Sequence, residues 1–329
     1  MYLMETPLTR PLVTLCFLLL ACTVSAYYVS PGLFKEPLLQ LNRTLSGLEE
    51  KTIQVAGHDI HYLEGGQGDI PIVLLHGIFA EKDHWTDFAR ALTGSHHILA
   101  PDLPGFGESS RHDDQAYDYT VQTERLRALL DALGLARVHL AGSSMGGTLA
   151  ALLALQHPER VASVAFVGAP HGIRSAQPSR MDRLIDQGQA PLVAHDAASF
   201  KAMMDLVFEK RPFLPYPIVH AAQADALRNA PSNLRLWQAQ LKDRYLLQEH
   251  IGELRVPTLV LWGSQDRVFD ASGAEVLRTH LPQAHITLLP GLGHLPMMEA
   301  PGNTAQHYTR FLKALARPDT AGNRQKNHQ

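Results

Sequence analysis

A serine between two glycines, Gly142-Ser143-Ser144-Met145-Gly146, stands where an apolar run, Val138-His139-Leu140-Ala141, gives way to an alanine- and leucine-rich segment. A strand that passes at once into a helix needs a very tight turn, and Gly-x-Ser-x-Gly is the pattern of a nucleophile elbow. Residues two before and two after the serine have no room for bulk, which accounts for Gly142 and Gly146. The turn lifts the central hydroxyl above the sheet, and the helix aims its unpaired N–H groups at the same point. Only Ser144 is in register. Ser143 reads as a turn residue bonded to backbone.

A lone serine hydroxyl is a poor nucleophile near neutral pH, so a base and a group that orients it are required, in the order serine, acid, histidine. Pro257-Thr258-Leu259-Val260-Leu261-Trp262-Gly263 reads as a buried strand, and Ser264-Gln265-Asp266 follows its carboxyl end. The next strand, Ile286-Thr287-Leu288-Leu289, runs into Pro290-Gly291-Leu292-Gly293-His294. Asp266 and His294 therefore fall at one edge of one sheet. Asp270 is the rival acid, but it lies further from the strand and suits the cap of a helix near Ala271. His280, His285 and His307 read as surface residues.

Two backbone N–H groups must converge on the carbonyl oxygen under attack. Met145, directly after the serine, supplies one. The second is expected from the loop after the strand Ile72-Val73-Leu74-Leu75, namely His76-Gly77-Ile78-Phe79. Ile78 is the preferred donor, with Phe79 as the alternative and as a wall of the substrate site. His76 reads as a brace for this loop.

Strand and helix patterns alternate from 71 to 167, behind a hairpin at 51–55 and 58–63. Such alternation predicts a mostly parallel sheet covered by helices on both faces. The intervening helices include one at 83–92. The pattern breaks at Pro170 and resumes at Val256, so residues 171–255 read as an inserted helical cap. Within it, Asp196 caps a helix whose apolar stripe is Phe200, Met203, Met204, Val207 and Phe208. That stripe either glues the cap to the body or, through Met203, Met204 and Phe208, lines a site for an acyl chain. The catalytic body thus occupies 51–170 and 256–317, with an apolar segment and linker at 1–50 and a polar, disordered tail at 318–329.

The formal net charge of −3 offers no basic footprint for nucleic acid, and neither a phosphate-cradling loop nor a metal-spaced Cys/His cluster is present. No metal or organic cofactor is called for. Both cysteines, Cys16 and Cys22, lie in the apolar stretch 11–29, so the body needs no disulfide. That stretch has three readings. Ala26 before Tyr27 fits a signal-peptidase site, Leu19-Leu20-Ala21-Cys22 fits a lipid-modified cysteine, and the whole stretch fits a retained anchor.

The segments LLHGIFAEKDHW, LAPDLPGFGESS, LAGSSMGG, VPTLVLWGSQDRV and LPGLGHLPMMEAP resemble the α/β-hydrolase superfamily, and within it the bacterial family V lipases and the membrane-anchored monoacylglycerol lipases. The resemblance covers most of 51–316 and departs at Ile78, where relatives usually carry Phe. It implies an α/β-hydrolase fold and a cofactor-free serine hydrolase acting on a lipid ester such as an acylglycerol. It also implies a protein held at a membrane, or secreted to the periplasm or beyond if the segment is cleaved. Two other classes stay open: carbon–carbon bond hydrolases of ring-cleavage pathways, which carry similar elbows, and ligand receptors that retain a triad.

Overall fold

Among the described residues eight strands form one sheet in the order β1-β2-β4-β3-β5-β6-β7-β8. The computed structural model describes residues 9–316, and the tail expected at 318–329 lies outside the described residues. The strands are β1 (Leu48–Val55), β2 (His58–Gly65), β3 (Ile72–Leu75), β4 (Ile98–Pro101), β5 (Val138–Ser144), β6 (Val161–Pro170), β7 (Thr258–Gly263) and β8 (His285–Leu289). The hairpin β1–β2 turns through Ala56 and Gly57, both at positive φ, and β2 also lies antiparallel to β4. All remaining pairs are parallel.

Because side chains alternate across a strand, each central strand feeds two separate cores. Val73, Leu75, Leu140, Val164, Val260 and Trp262 face one side, against Leu126, Leu130, Leu149 and Leu153. Ile72, Leu74, Ala141, Val167, Leu259 and Leu261 face the other, against Phe88, Tyr308, Phe311 and Leu312. Burial on both faces explains why these strands read as unbroken apolar runs.

The helices are α1 (Thr9–Val29), α2 (Gly32–Leu45), α3 (Thr86–Ala89), α4 (Tyr119–Ala132), α5 (Met145–Gln156), α6 (Arg180–Asp186), α7 (Ala197–Val207), α8 (Tyr216–Arg228), α9 (Ala230–Lys242), α10 (Leu246–His250), α11 (Gly273–His280), α12 (Pro296–Glu299) and α13 (Pro301–Leu315). Helices α6 to α10 fall between β6 and β7 and make up the cap. Asp196 closes a capping box with Ser199 at the start of α7. On that helix Met203 packs against one core and Met204 against the other, while Phe208, just past its end, is buried. The stripe therefore joins cap to body.

Two expectations are corrected. The stretch at 30–50 is not a linker: it contains α2, whose Leu39 and Arg43 are buried against the body. The helix expected at 83–92 is only a 3-10 turn, Lys82–Trp85, followed by one turn of α3, because Lys82 is drawn inward to Asp102.

Helix α1 leaves Val13, Phe17, Leu18, Leu19, Leu20 and Val24 exposed, and both cysteines with them. Among the described residues no single helix is long and apolar enough to cross a membrane, but α1 and α2, bent by 97°, pass that test together. Aromatic contacts pin the bend to the cap: Tyr27 lies 5.4 Å from Phe34, Tyr28 lies 5.3 Å from Tyr216, and the Tyr216 N–H donates to the Tyr27 hydroxyl.

Candidate active site

Ser144 sits at the end of β5 with φ 52° and ψ −119°, a left-handed conformation that L-residues seldom adopt. Such a residue costs on the order of 1–3 kcal/mol, so its surroundings must hold it there. The close packing of the two glycines does so. A Cβ on Gly142 would meet the Gly146 carbonyl carbon at 2.3 Å, and one on Gly146 would meet the Leu75 oxygen at 2.2 Å. Ser143 departs from expectation. Its hydroxyl is buried without a hydrogen-bond partner among the described residues and faces Gly168.

Across the sheet edge, His294 Nδ1 and Asp266 Oδ2 are 2.8 Å apart, both side chains buried. The other Asp266 oxygen accepts from the Val268 and Phe269 N–H groups at 2.8 and 3.0 Å, which fixes the carboxylate. With Nδ1 donating to the Asp266 carboxylate, Nε2 is the ring nitrogen left with an unshared lone pair. The His294 N–H donates to the Val207 carbonyl at 3.0 Å, tying this loop to the end of α7. Asp270 does not approach His294. Its carboxylate accepts from the Ser272 N–H at 2.9 Å, ahead of α11. His280 and His285 are exposed and His307 is half-buried on α13. No hydrogen bond joins Ser144 to His294 among the described residues; bonds of this kind tighten when substrate binds.

Met145, expected as an oxyanion donor, is the first residue of α5, where N–H groups lack intrahelical acceptors. Gly77 lies against the serine: a Cβ there would come within 3.2 Å of Ser144 Cβ. Ile78 and Phe79 follow, half-buried, with Phe79 itself at φ 56°. His76 braces this loop. The Leu103 N–H donates to Nε2 at 2.9 Å, so Nδ1 donates to the Gly77 carbonyl at 2.7 Å. That neutral tautomer agrees with the drop of the His76 pKa to about 4, caused chiefly by burial.

Several further residues support the site. Asp102 is buried and accepts from the Lys82 N–H, Lys82 Nζ and the Glu108 N–H, at 2.6, 3.1 and 2.9 Å, which anchors the segment after β3 to the end of β4. Burial, Asp102 and Asp83 together push Glu81 up to about 7. His171, just past β6, donates its N–H to the Ser144 carbonyl at 3.2 Å, and its ring bonds Tyr119 at 2.8 Å. Burial holds His171 near 4 and so neutral. From the cap, the Gln240 amide donates to the Met145 sulfur. The strands that end beside Ser144 gave a signal for His171, a polar residue after an apolar run; the cap contacts gave none.

Glu50, His61 and Glu108 bring ligand atoms within 4.8 Å of one another. Lys82 Nζ stands among them, 2.5 Å from Glu108 and 3.4 Å from Glu50, and supplies the positive charge that group calls for.

The strained serine on its elbow, the buried acid–histidine pair and the doubly wound sheet define a serine hydrolase architecture. The chain belongs to the alpha/beta hydrolase fold family, whose profile matches residues 70–301. It is 31% identical to "Lipase 1" of Psychrobacter immobilis over 85% of this chain and 89% of that protein. It is 29% identical to "Monoacylglycerol lipase ABHD6" of Homo sapiens, over 91% and 94% of the two chains. A solved membrane phospholipase A, described as a bacterial virulence factor, superposes with a TM-score of 0.85 at 37% identity, covering 94% of this chain and all 100% of its own. These relatives put the chain among the ester-cleaving serine hydrolases of the family, and they favour neither the ring-cleavage reading nor the receptor reading.

Proposed function

We propose that the chain cleaves the carboxylic esters of glycerolipids at a membrane surface through an acyl-enzyme on Ser144. The observation that supports this is a Ser144 at positive φ, seated against Gly77 at the end of β5, in a chain that also holds a buried His294–Asp266 couple at the same edge of the sheet. In the first step His294 Nε2 takes the Ser144 proton as Oγ attacks the ester carbonyl. The Ile78 and Met145 N–H groups stabilise the oxyanion, each contributing about 3–4 kcal/mol. The tetrahedral species collapses, and the imidazolium gives its proton to the departing alcohol oxygen. Water, deprotonated by His294, then releases the fatty acid and restores the serine.

The substrate class draws on the relatives, named for lipids, monoacylglycerols and phospholipids. The exposed apolar surface of α1 supports attachment to the bilayer from which such substrates come, by a retained anchor or through a lipidated Cys22. Ile78, Phe79, Met203 and Met204 border the elbow and the α7 junction, and we assign the acyl chain to that side. Phe208, buried in the core beneath, supports α7 there.

The test is hydrolysis of long-chain glycerolipid in vesicles beside p-nitrophenyl butyrate in solution. The full chain cleaves both and Ser144→Ala cleaves neither. Removing residues 1–30 lowers the vesicle rate more than tenfold but the soluble rate less than twofold. Equal loss on both substrates would contradict the membrane role, and activity in Ser144→Ala would contradict the chemistry.

A further inference from the structure

Four buried rings touch in succession between helix α4 and the His294 base. Tyr119, at the start of α4, lies nearly parallel to His171, with centroids 5.7 Å apart and 16° between the planes. Phe269 lies 5.7 Å from His171, and His294 lies 5.3 Å from Phe269.

The His294 imidazole is bonded at Nδ1 to Asp266. One hydrogen bond leaves a ring free to rock about the line of that bond. Proton transfer from a serine needs Nε2 within about 2.6–3.2 Å and well aligned, so rocking costs rate. The Phe269 ring, set at 71° to the imidazole, limits it. Phe269 is hydrogen-bonded through its backbone alone: its N–H donates to Asp266 Oδ1 at 3.0 Å and its carbonyl accepts from Trp262 Nε1 at 3.1 Å. Those bonds do not choose a rotamer for the ring. The ring also borders a cavity of about 380 Å3 between the end of β6 and the cap, so open space lies beside it. A side chain next to open space keeps its rotamer freedom unless a neighbour removes it.

His171 borders the same cavity and is that neighbour. It is held at three points. Its N–H donates to the Ser144 carbonyl at 3.2 Å, its carbonyl accepts from the Thr148 hydroxyl at 2.6 Å, and its Nδ1 is hydrogen-bonded to the Tyr119 hydroxyl at 2.8 Å. The peptide is thereby fixed to the elbow and the ring to α4. Burial holds His171 near 4, so at neutral pH its ring sets no charge against the imidazolium that His294 becomes.

We infer that His171 is a positioning residue for the base: its ring props Phe269 against His294, and its peptide ties that prop to the Ser144 elbow. The inference rests on the ester-hydrolase reading and adds to it a residue outside the triad and the oxyanion donors.

The test varies the ring alone, in the full chain in detergent, since every variant keeps the peptide of residue 171. His171→Asn retains a polar end and loses the ring, whereas His171→Phe retains a ring and loses the bond to Tyr119. With p-nitrophenyl butyrate, His171→Asn is expected to lower kcat at least tenfold with KM changed less than twofold, and His171→Phe to recover at least a third of the wild-type kcat. Equal loss in the two, or the opposite ranking, overturns the prop. Phe269→Leu should lose kcat as His171→Asn does, and the double variant should lose no more than the worse single one; losses that multiply overturn action through Phe269. The downfield proton resonance of His294 Nδ1–H should be sharp in the wild type and in His171→Phe and broadened in His171→Asn. An unaltered resonance in His171→Asn overturns the positioning role. That resonance needs no turnover, so a wild type that leaves the ester intact sinks the ester-hydrolase reading while the resonance still judges the prop.

Discussion

Arg43 donates from Nε and one Nη to the two carboxylate oxygens of Asp83, each at 2.8 Å, with its side chain fully buried. Asp83 stands in the 3-10 turn that follows the Ile78 loop, so α2 is fastened to the segment beside the proposed oxyanion donor. Glu36 and Glu50 complete the ring around the guanidinium at 2.9 and 2.6 Å. Breaking such a buried pair by removing one member costs roughly 3–5 kcal/mol. Arg43→Ala should therefore lower both the thermal midpoint and ester turnover. Cutting residues 1–30 should leave the midpoint close to that of the full chain, whereas cutting 1–45 should lower it at least as far as Arg43→Ala does. Thermal unfolding of the three proteins checks this, and an unaltered midpoint after loss of 1–45 would contradict it.

Asp266 and Asp270 are four residues apart and hold different partners, His294 and the Ser272 N–H. Asp266→Asn should reduce kcat by several orders of magnitude through the wrong imidazole tautomer. Asp270→Asn should keep most activity and lose at most a few tenths to about 1 kcal/mol of stability. Parallel kinetics on the two variants decide it, and the reverse ranking would move the acid to Asp270.

Four histidines, His76, His84, His139 and His171, are held down near 4 from an ordinary 6.5, mainly by burial. Between those values the unfolded chain binds more protons than the folded one, so stability falls as pH drops from 6.5 towards 4. Each fully differential proton contributes about 1.4 kcal/mol per pH unit. Glu81 works in the opposite sense: raised to about 7, it stabilises at low pH, and its contribution is lost as pH rises through 7. The lowered histidines, with His58 among them, outnumber Glu81 and the other raised carboxylates, Asp102, Asp243 and Glu299. Urea unfolding at pH 7, 6 and 5 should show falling stability, with a shallower fall in His139→Gln, whose ring bonds Ser163 at 2.8 Å. A flat profile would show that these histidines do not stay neutral.

Gly142→Ala and Gly94→Ala form a contrasting pair. The first places a Cβ 2.3 Å from backbone of Gly146, and the second meets nothing within 4 Å. Gly142→Ala should yield protein that is insoluble or lacks ester turnover, while Gly94→Ala should match the wild type. Soluble expression and p-nitrophenyl butyrate turnover check both.

Sheet, elbow and the edge shared by Asp266 and His294 are legible in the sequence because each depends on chain-local chemistry: apolar runs, the glycines around Ser144, and loops that start where strands end. Arg43 is not legible, since it pairs with Asp83 forty positions away and a buried arginine looks like any surface arginine in a helix. The same holds for Lys82, whose inward turn towards Asp102 shortens the helix expected at 83–92. Met and Phe on α7 have the right spacing for a buried stripe, but spacing alone does not separate a joint from a substrate wall.

The central claim is that Ser144, and not its neighbour Ser143, is the nucleophile. A fluorophosphonate probe forms a stable adduct only with a serine activated by a base, and peptide mass mapping locates that adduct to a residue. The account predicts a single adduct on Ser144, absent from Ser144→Ala and formed at least a hundredfold more slowly in His294→Ala. An adduct on Ser143, or labelling that persists in Ser144→Ala, would contradict it.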